Sequence, residues 1–318
     1  MNKRYLDAMK MMPVIFLLLS MACYAQKTAP AIFEAGVISV GDYESHADFS
    51  VSGDTLMFVK SNPDVSKWTI CYSIRKNGKW SKPEVAPFSG QYMDADPFFT
   101  PDGKMLLFIS NRPIKEGDPP KNDMDIWKIE KTKSGWGKPE RLSDVVNSDK
   151  SEYYPMMLVE GNAGELYFGS RREGGHGGSD IWKAEIENGV FKGPFNMGEA
   201  INNEGNQFEP YVAPDASYII FMATPTEDLQ SADLYISYNK GDFWTKAQKL
   251  LEPINSSATE FSPRVTKDGK YFFFASARNV NPSFTSKREK MTDVEKRLHG
   301  AGNGLGDIWF VEVGVVVK

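Results

Sequence analysis

Cysteine is almost missing from this chain: Cys23 and Cys71 are the only two in 318 residues. No disulfide framework can therefore organise it, and stability at this size has to come from a buried core. Histidine is nearly as scarce, at His46, His176 and His299. No zinc-type spacing, Gly-x-Ser-x-Gly elbow, phosphate-binding Gly-rich loop or EF-hand pattern is present, which removes the commonest enzyme signatures. Basic residues are outnumbered, 37 Lys and Arg against 42 Asp and Glu, and no basic run occurs. A nucleic-acid partner is excluded on those grounds. Long apolar runs are absent too. The longest, Met11 to Ala22, falls short of the roughly 20 residues that span a bilayer.

That short run has a purpose of its own. Lys3, Arg4 and Lys10 precede or flank it and small residues follow it, the arrangement of a secretory leader. Cys23-Tyr24-Ala25 offers small side chains where a signal peptidase reads, so residues 1–25 are expected to be removed after Ala25. The exported chain, 26–318, would carry 34 basic and 41 acidic residues, a net −7, and only Cys71. Ser20-Met21-Ala22-Cys23 partly resembles a bacterial lipobox, with Ser20 where Leu is usual; simple secretion is the reading adopted, and lipidation at Cys23 is its alternative. The expected address is the periplasm, the outer membrane surface or the medium.

What is abundant is turn-formers, 27 Gly and 19 Pro, and they recur at intervals. Asp125-Ile126-Trp127, Asp180-Ile181-Trp182, Asp233-Leu234-Tyr235 and Asp307-Ile308-Trp309 repeat an Asp-apolar-aromatic signature, with Thr69-Ile70-Cys71 as a degenerate fifth. Eleven residues after the first position stands Trp80, Trp136, Phe191 or Trp244. Fourteen after it stands Pro83, Pro139, Pro194 or Ala247. A second set precedes each of these: Pro97, Pro210 and Pro263 are followed by Asp102, Asp215 and Asp268, then by Phe108, Phe221 and Phe274. Ala47, Ser52 and Phe58 keep those offsets, and Pro155 and Phe168 differ by two inserted residues.

Each unit reads as four short strands, with turns such as Pro101-Asp102-Gly103 and Asn77-Gly78 between apolar runs. Five such units predict an all-β chain, a single five-bladed β-propeller of four-stranded antiparallel blades. The expected blades are 43–88, 92–142, 150–197, 203–254 and 257–318 plus 30–39. The last unit supplies only three clear strands, and the segment Pro30 to Ile38 precedes the first unit where a fourth belongs. This N-terminal strand is expected to close the last blade and so remove the edge strands. Asp-Gly-Lys-x-x-x-Phe-x-Ser, with Gly-Gly-x-Gly-Gly-Ser-Asp-Ile-Trp at 174–182, resembles the WD-like propeller repeat of the TolB family. The resemblance covers roughly 43–313 and implies the fold and an exported setting. TolB has six blades and a further N-terminal domain, so a role in the Tol system does not carry over.

Two polar columns run through the repeats. Glu44, Asp94, Glu152, Gln207 and Glu260 stand three residues before each Pro-type position, and Asn62, Arg112, Arg172, Pro225 and Arg278 stand four after each repeat Phe. An antiparallel meander brings both to one face, near the channel mouth, and three units carry acid and Arg together. The columns read as carboxylate–guanidinium pairs tying the fold, and also as the candidate ligand-binding mouth, with the breaks at Gln207 and Pro225 as places for asymmetry. Trp127, Trp182 and Trp309 are expected to pack between sheets rather than stack on sugars, and the Asp beside each to fix a turn.

The longest loop, Asn279 to Gly306, holds Lys287, Arg288, Lys290, Lys296 and Arg297, the one basic patch. Thr292-Asp293-Val294-Glu295 in it reads as a capping box opening a short helix; the loop is either a lid or docking element, or a disordered insertion. Two glycosidase echoes remain: Ser237-x-Asn239-x-Gly241-x-x-Trp244 resembles the Asp-box of sialidases, and Ala95-Asp96-Pro97 resembles the catalytic-base segment of five-bladed arabinanase-type enzymes. Both sit at repeat positions. The expected function is a non-enzymatic, cofactor-free module of the cell envelope that recognises a protein or glycan through its loop-bearing face. The alternative is a glycan-active hydrolase using carboxylates at the channel mouth, with Ca²⁺ in the central channel.

Overall fold

The computed structural model describes residues 29–225, 231–281 and 288–317. The expected leader, its expected cut site and Cys23 lie outside the described residues. Five antiparallel sheets succeed one another along the chain. Their first strands, Tyr43–Phe49, Asp94–Phe99, Glu152–Glu160, Asn206–Val212 and Glu260–Val265, touch their neighbours in a closed circle, the fifth meeting the first. The molecule is a five-bladed β-propeller, and these strands surround its axis.

Burial falls outward from that axis. All six residues of Asp94–Phe99 and of Glu260–Val265 are buried. Second strands such as Met105–Ser110 and Tyr271–Ser276 are buried along almost their whole length, which is why they read as unbroken apolar runs. Third strands, such as Asp180–Glu187, begin buried and end exposed. The repeat Asp of the first hairpins holds its turn: Asp102 Oδ1 accepts from Thr100 Oγ1 at 2.7 Å and from Lys104 N at 3.1 Å. Gly103 follows at φ +69°, where a side chain is strained.

Closure is as expected from the sequence. Ala31–Ile32 pairs with Asp307–Glu312 as the outermost strand of the last blade, Ala31 opposite Phe310 and Ile32 opposite Trp309. Phe33 N then bonds Ile308 O at 2.8 Å. The Phe33 ring meets Phe49, Trp80, Phe273 and Phe310 edge-on, with centroids 5.1 to 5.8 Å away. This aromatic plug joins blade 5 to blade 1 in a cluster of its own with Ile38, Phe58 and Ile308. Cys71 is buried there, and burial pushes its thiol up to about 11, so it is a small hydrophobe and no nucleophile.

Candidate functional site

The two polar columns meet as expected, and within each blade. Arg112 Nη2 reaches Asp94 at 2.7 Å, Arg172 Nη2 reaches Glu152 at 3.0 Å, and Arg278 Nε reaches Glu260 at 3.1 Å. Every acid of the column is fully buried. Each guanidinium lies over the repeat Phe and the repeat Trp of its blade, 4.8 and 5.4 Å from the rings of Phe108 and Trp127 for Arg112. Phe168 and Trp182 hold Arg172, and Phe274 and Trp309 hold Arg278, in the same way. Among the described residues the three indole N–H groups have no hydrogen-bond partner, so these Trps serve by their faces.

The acids also bind backbone: Ser148 N donates to Glu152 at 3.1 Å and Ser256 N to Glu260 at 2.8 Å. Blade 1 substitutes Lys60, 3.1 Å from Glu44. In blade 4 the neutral Gln207 accepts from Asn203 N at 3.0 Å and donates back to Asn203 Oδ1 at 2.8 Å. A neutral amide leaves no buried charge for an arginine to balance, and Pro225 stands at that position. The break in the pattern is thus a compensated exchange.

None of Glu44, Asp94, Glu152, Gln207, Glu260, Arg112, Arg172 or Arg278 lines the cavity at the axis. Their charged groups are paired inside their own blades instead. The physical reason is strand alternation, which sends these side chains into their own blades and their neighbours toward the axis.

The neighbours form the site. In every blade the first strand slips register against the second, between Ser45 and Asp48, Ala95 and Phe98, Tyr153 and Met156, Phe208 and Tyr211, and Phe261 and Arg264. Each slip is a β-bulge, two residues facing one. Its first residue is His46, Asp96, Tyr154, Glu209 or Ser262, all at φ between 49° and 57°. Its second is Ala47, Pro97, Pro155, Pro210 or Pro263, so the repeat proline occupies a position where the ladder needs no N–H. Five side chains in a strained left-handed conformation are thereby aimed at the axis, a placement sequence spacing alone did not reveal.

They bind across it. His46 Nε2 lies 3.0 Å from Glu209 Oε1 and 3.2 Å from Asp96 Oδ1. Asp96 Oδ2 accepts from Tyr154 N at 2.7 Å, and Glu209 Oε2 accepts from Ser262 N at 2.5 Å. His46 Nδ1 meets Ser45 Oγ at 2.6 Å. All five blades are tied at their bulges through one imidazole. Burial alone would lower the His46 pKa, but the Asp96 and Glu209 carboxylates outweigh it and hold the pKa above its ordinary value. Burial pushes Asp96 up to about 6, against the pull of His46. Beneath them Arg264 is 98% buried in stacking contact with Tyr154 and Phe98, 4.5 and 5.0 Å from the ring centres.

Above the imidazole is an open cavity of about 340 Å³ to which all five blades contribute, within the usual range for ligand sites. Its walls are Tyr43, Trp68, Tyr153, Phe208 and Phe261, with Val59, Ile109 and Met222 behind; its floor is His46, Asp96 and Glu209. Ser61, Thr259 and Arg171 stand at strand ends around the mouth. Burial pushes the Tyr43 phenol up to about 12, with Glu209 adding, so it remains a neutral hydrogen-bonding group. Among the described residues no group of three or more His, Cys, Asp or Glu is arranged to hold a metal ion. The floor carboxylates are committed to the imidazole and to backbone N–H groups.

The other motifs prove to be turns. Asn239 Oδ1 accepts from Gly241 N at 2.8 Å in the third-to-fourth-strand turn of blade 4, so the Asp-box echo is a turn motif. His176 N and Gly177 N donate to Asp180, at 2.6 and 3.1 Å, which makes the Gly-rich 174–178 loop a wrap around a carboxylate. A side chain at Gly177 would collide with Gly205 O. The long loop holds a helix, Met291–His299, opened by Asp293 accepting from Lys290 N at 2.9 Å. The helix starts before the expected Thr292 box, and Asp293 rather than Glu295 reaches back. Arg297 pairs with Glu289 at 3.1 Å, which tempers the basic patch; Lys287 lies outside the described residues. Among the described residues no helix is long and apolar enough to cross a membrane.

No protein-family model matches this chain, and no curated protein matches it by sequence. Solved structures do. A glycoside hydrolase superposes with a TM-score of 0.54 at 9% identity, covering 94% of this chain and 96% of its own. The α-L-arabinanase of Penicillium chrysogenum, solved with arabinobiose, gives 0.50 at 11% identity over 91% of this chain and all of its own. A protein of Agrobacterium tumefaciens provisionally assigned as TolB gives 0.46 at 13% identity, over 85% and 90%. At such identities the shared property is the fold.

Proposed function

We propose that this protein is an exported recognition module built from TolB-type repeats, and that it holds one unit of an envelope or extracellular glycan in the axial cavity without transforming it. The observation that carries this reading is the cavity itself. Five aromatic side chains wall it, and a polar floor of His46, Asp96 and Glu209 closes it. Sugar rings present an apolar face and a hydroxylated edge. Aromatic faces suit the first, and fixed hydrogen-bonding groups suit the second. A concave site of this size fits a ring better than the surface of a protein partner. Export rests on the leader at residues 1–25.

Binding is preferred to hydrolysis because both oxygens of Asp96 and both of Glu209 already have protein partners. A general base would have to release one of them to activate water. One observation favours the second reading. Asp96 and Glu209 are a pair of carboxylates lining one cavity, as glycosidases use, and burial pushes Asp96 up to about 6.

A panel of bacterial and plant polysaccharides, assayed for both retention and release of reducing ends, separates the two. The module reading predicts saturable binding without turnover, abolished in Ser61→Trp, which fills the mouth, and weakened about tenfold or more in Phe208→Ala. Turnover by the wild type, lost in Asp96→Asn and Glu209→Gln, would replace it with the hydrolase reading.

A further inference from the structure

The repeat separates residues that serve the fold from those that serve this chain alone. The position three residues after the repeat Phe is Ser61, Asn111, Thr224 and Ala277 in four blades, and Arg171 in blade 3. Where that residue is small and polar it works locally: Asn111 Oδ1 accepts from Met93 N at 3.0 Å, and Thr224 Oγ1 accepts from Asn206 Nδ2 at 3.2 Å. Arg171 does something else. It lines the cavity mouth, and its guanidinium lies 5.7 Å over the Phe208 ring of the next blade. Phe208 is braced edge-on by Tyr153, with centroids 5.8 Å apart.

Among the described residues no carboxylate comes within ion-pair distance of Arg171. Arg172, its chain neighbour, is held by Glu152. An exposed, stacked guanidinium beside an aromatic wall offers its forked N–H donors to whatever enters. The floor cannot take an anion, because the Asp96 and Glu209 carboxylates are there and already share the His46 imidazole. A negative group on the ligand therefore has one favourable place, at the mouth.

Resting on the glycan reading above, we infer that the ligand is an acidic sugar, its ring stacked on Phe208 and its anionic substituent held by Arg171. Carboxylate and sulfate share the required chemistry.

The probe is an oligogalacturonate, compared with the same oligosaccharide methyl-esterified and with a sulfated neutral oligosaccharide, by titration calorimetry at two salt concentrations. Wild type should bind an anionic form at least about tenfold more tightly than the ester, and binding should weaken with salt. Arg171→Ala should remove that difference between the charged and esterified forms, and Arg171→Lys should restore part of it. Which anionic probe binds assigns carboxylate or sulfate. Equal binding of charged and uncharged forms by the wild type, or an Arg171→Ala variant that keeps the preference, overturns this inference and leaves the glycan reading standing. Failure of all three probes to bind overturns the acidic-sugar assignment, and the neutral polysaccharides of the panel then judge the glycan reading separately.

Discussion

At the scale of single residues, the molecule relies on charges that are buried and balanced. Removing one member of such a pair leaves its partner unpaired in a poorly solvated place, which costs about 3–5 kcal/mol. Arg172→Ala should therefore lower stability by roughly that amount, measured by urea unfolding. The sequence itself supplies the remedy: blade 4 has Gln207 and no arginine. Glu152→Gln combined with Arg172→Ala should recover a substantial part of the loss, and a purely additive double variant would show that the pair is not the cause. His46→Ala should be as damaging, because it leaves Asp96 and Glu209 without the imidazole they share. The columns of acids and arginines were legible because structural roles repeat with the fold. The axial residues were less so, since His, Asp, Tyr, Glu and Ser share no chemistry. What they share is a backbone conformation, one place before a proline in four blades and before Ala47 in the first, and the proline was its visible trace.

At the scale of elements, the first strand of each blade carries the bulge and the closing strand carries the ring's integrity. The closing strand is only two residues long, so most of its hold comes from Phe33 in its aromatic plug. Phe33→Ala should destabilise by about 2–4 kcal/mol, and deletion of 29–39 should expose the edge of Asp307–Glu312 and promote association, seen by light scattering. A truncated protein that stays monomeric with an unchanged melting temperature would show that closure is dispensable. Head-to-tail closure was legible from simple counting of strands. The helix Met291–His299 was legible too, but its start was misplaced, because a Thr-Asp-Val-Glu string matches a capping box wherever it falls.

At the scale of the whole molecule, protonation and folding are linked. Glu44 and Asp307 are pushed up to about 7 and about 6, and Asp96 to about 6, each mainly by burial. His46 is also raised, by its carboxylate neighbours against burial. Each of these groups binds its proton more tightly folded than unfolded. The stability it contributes is complete below its unfolded pKa and fades as pH rises through its folded one. The turn aspartates Asp102, Asp215 and Asp268 are lowered by the hydrogen bonds of their turns, against burial, and their contribution is lost only at more acidic pH, below about 4. The melting temperature should accordingly fall by a few degrees between pH 5.5 and pH 8. A flat or rising profile would contradict the burial of these acids. His46→Gln should flatten part of the slope.

The claim on which the functional account turns is that recognition happens at the axis rather than on the outer rims. A crystal structure with the tightest-binding glycan of the panel tests it most directly. The account predicts a sugar ring stacked against Phe208 or Trp68, hydroxyls within hydrogen-bond reach of the His46 floor, and an acidic substituent beside Arg171. A ligand seated on the helix Met291–His299 or along a blade's outer edge, with the axial cavity holding only solvent, would contradict it.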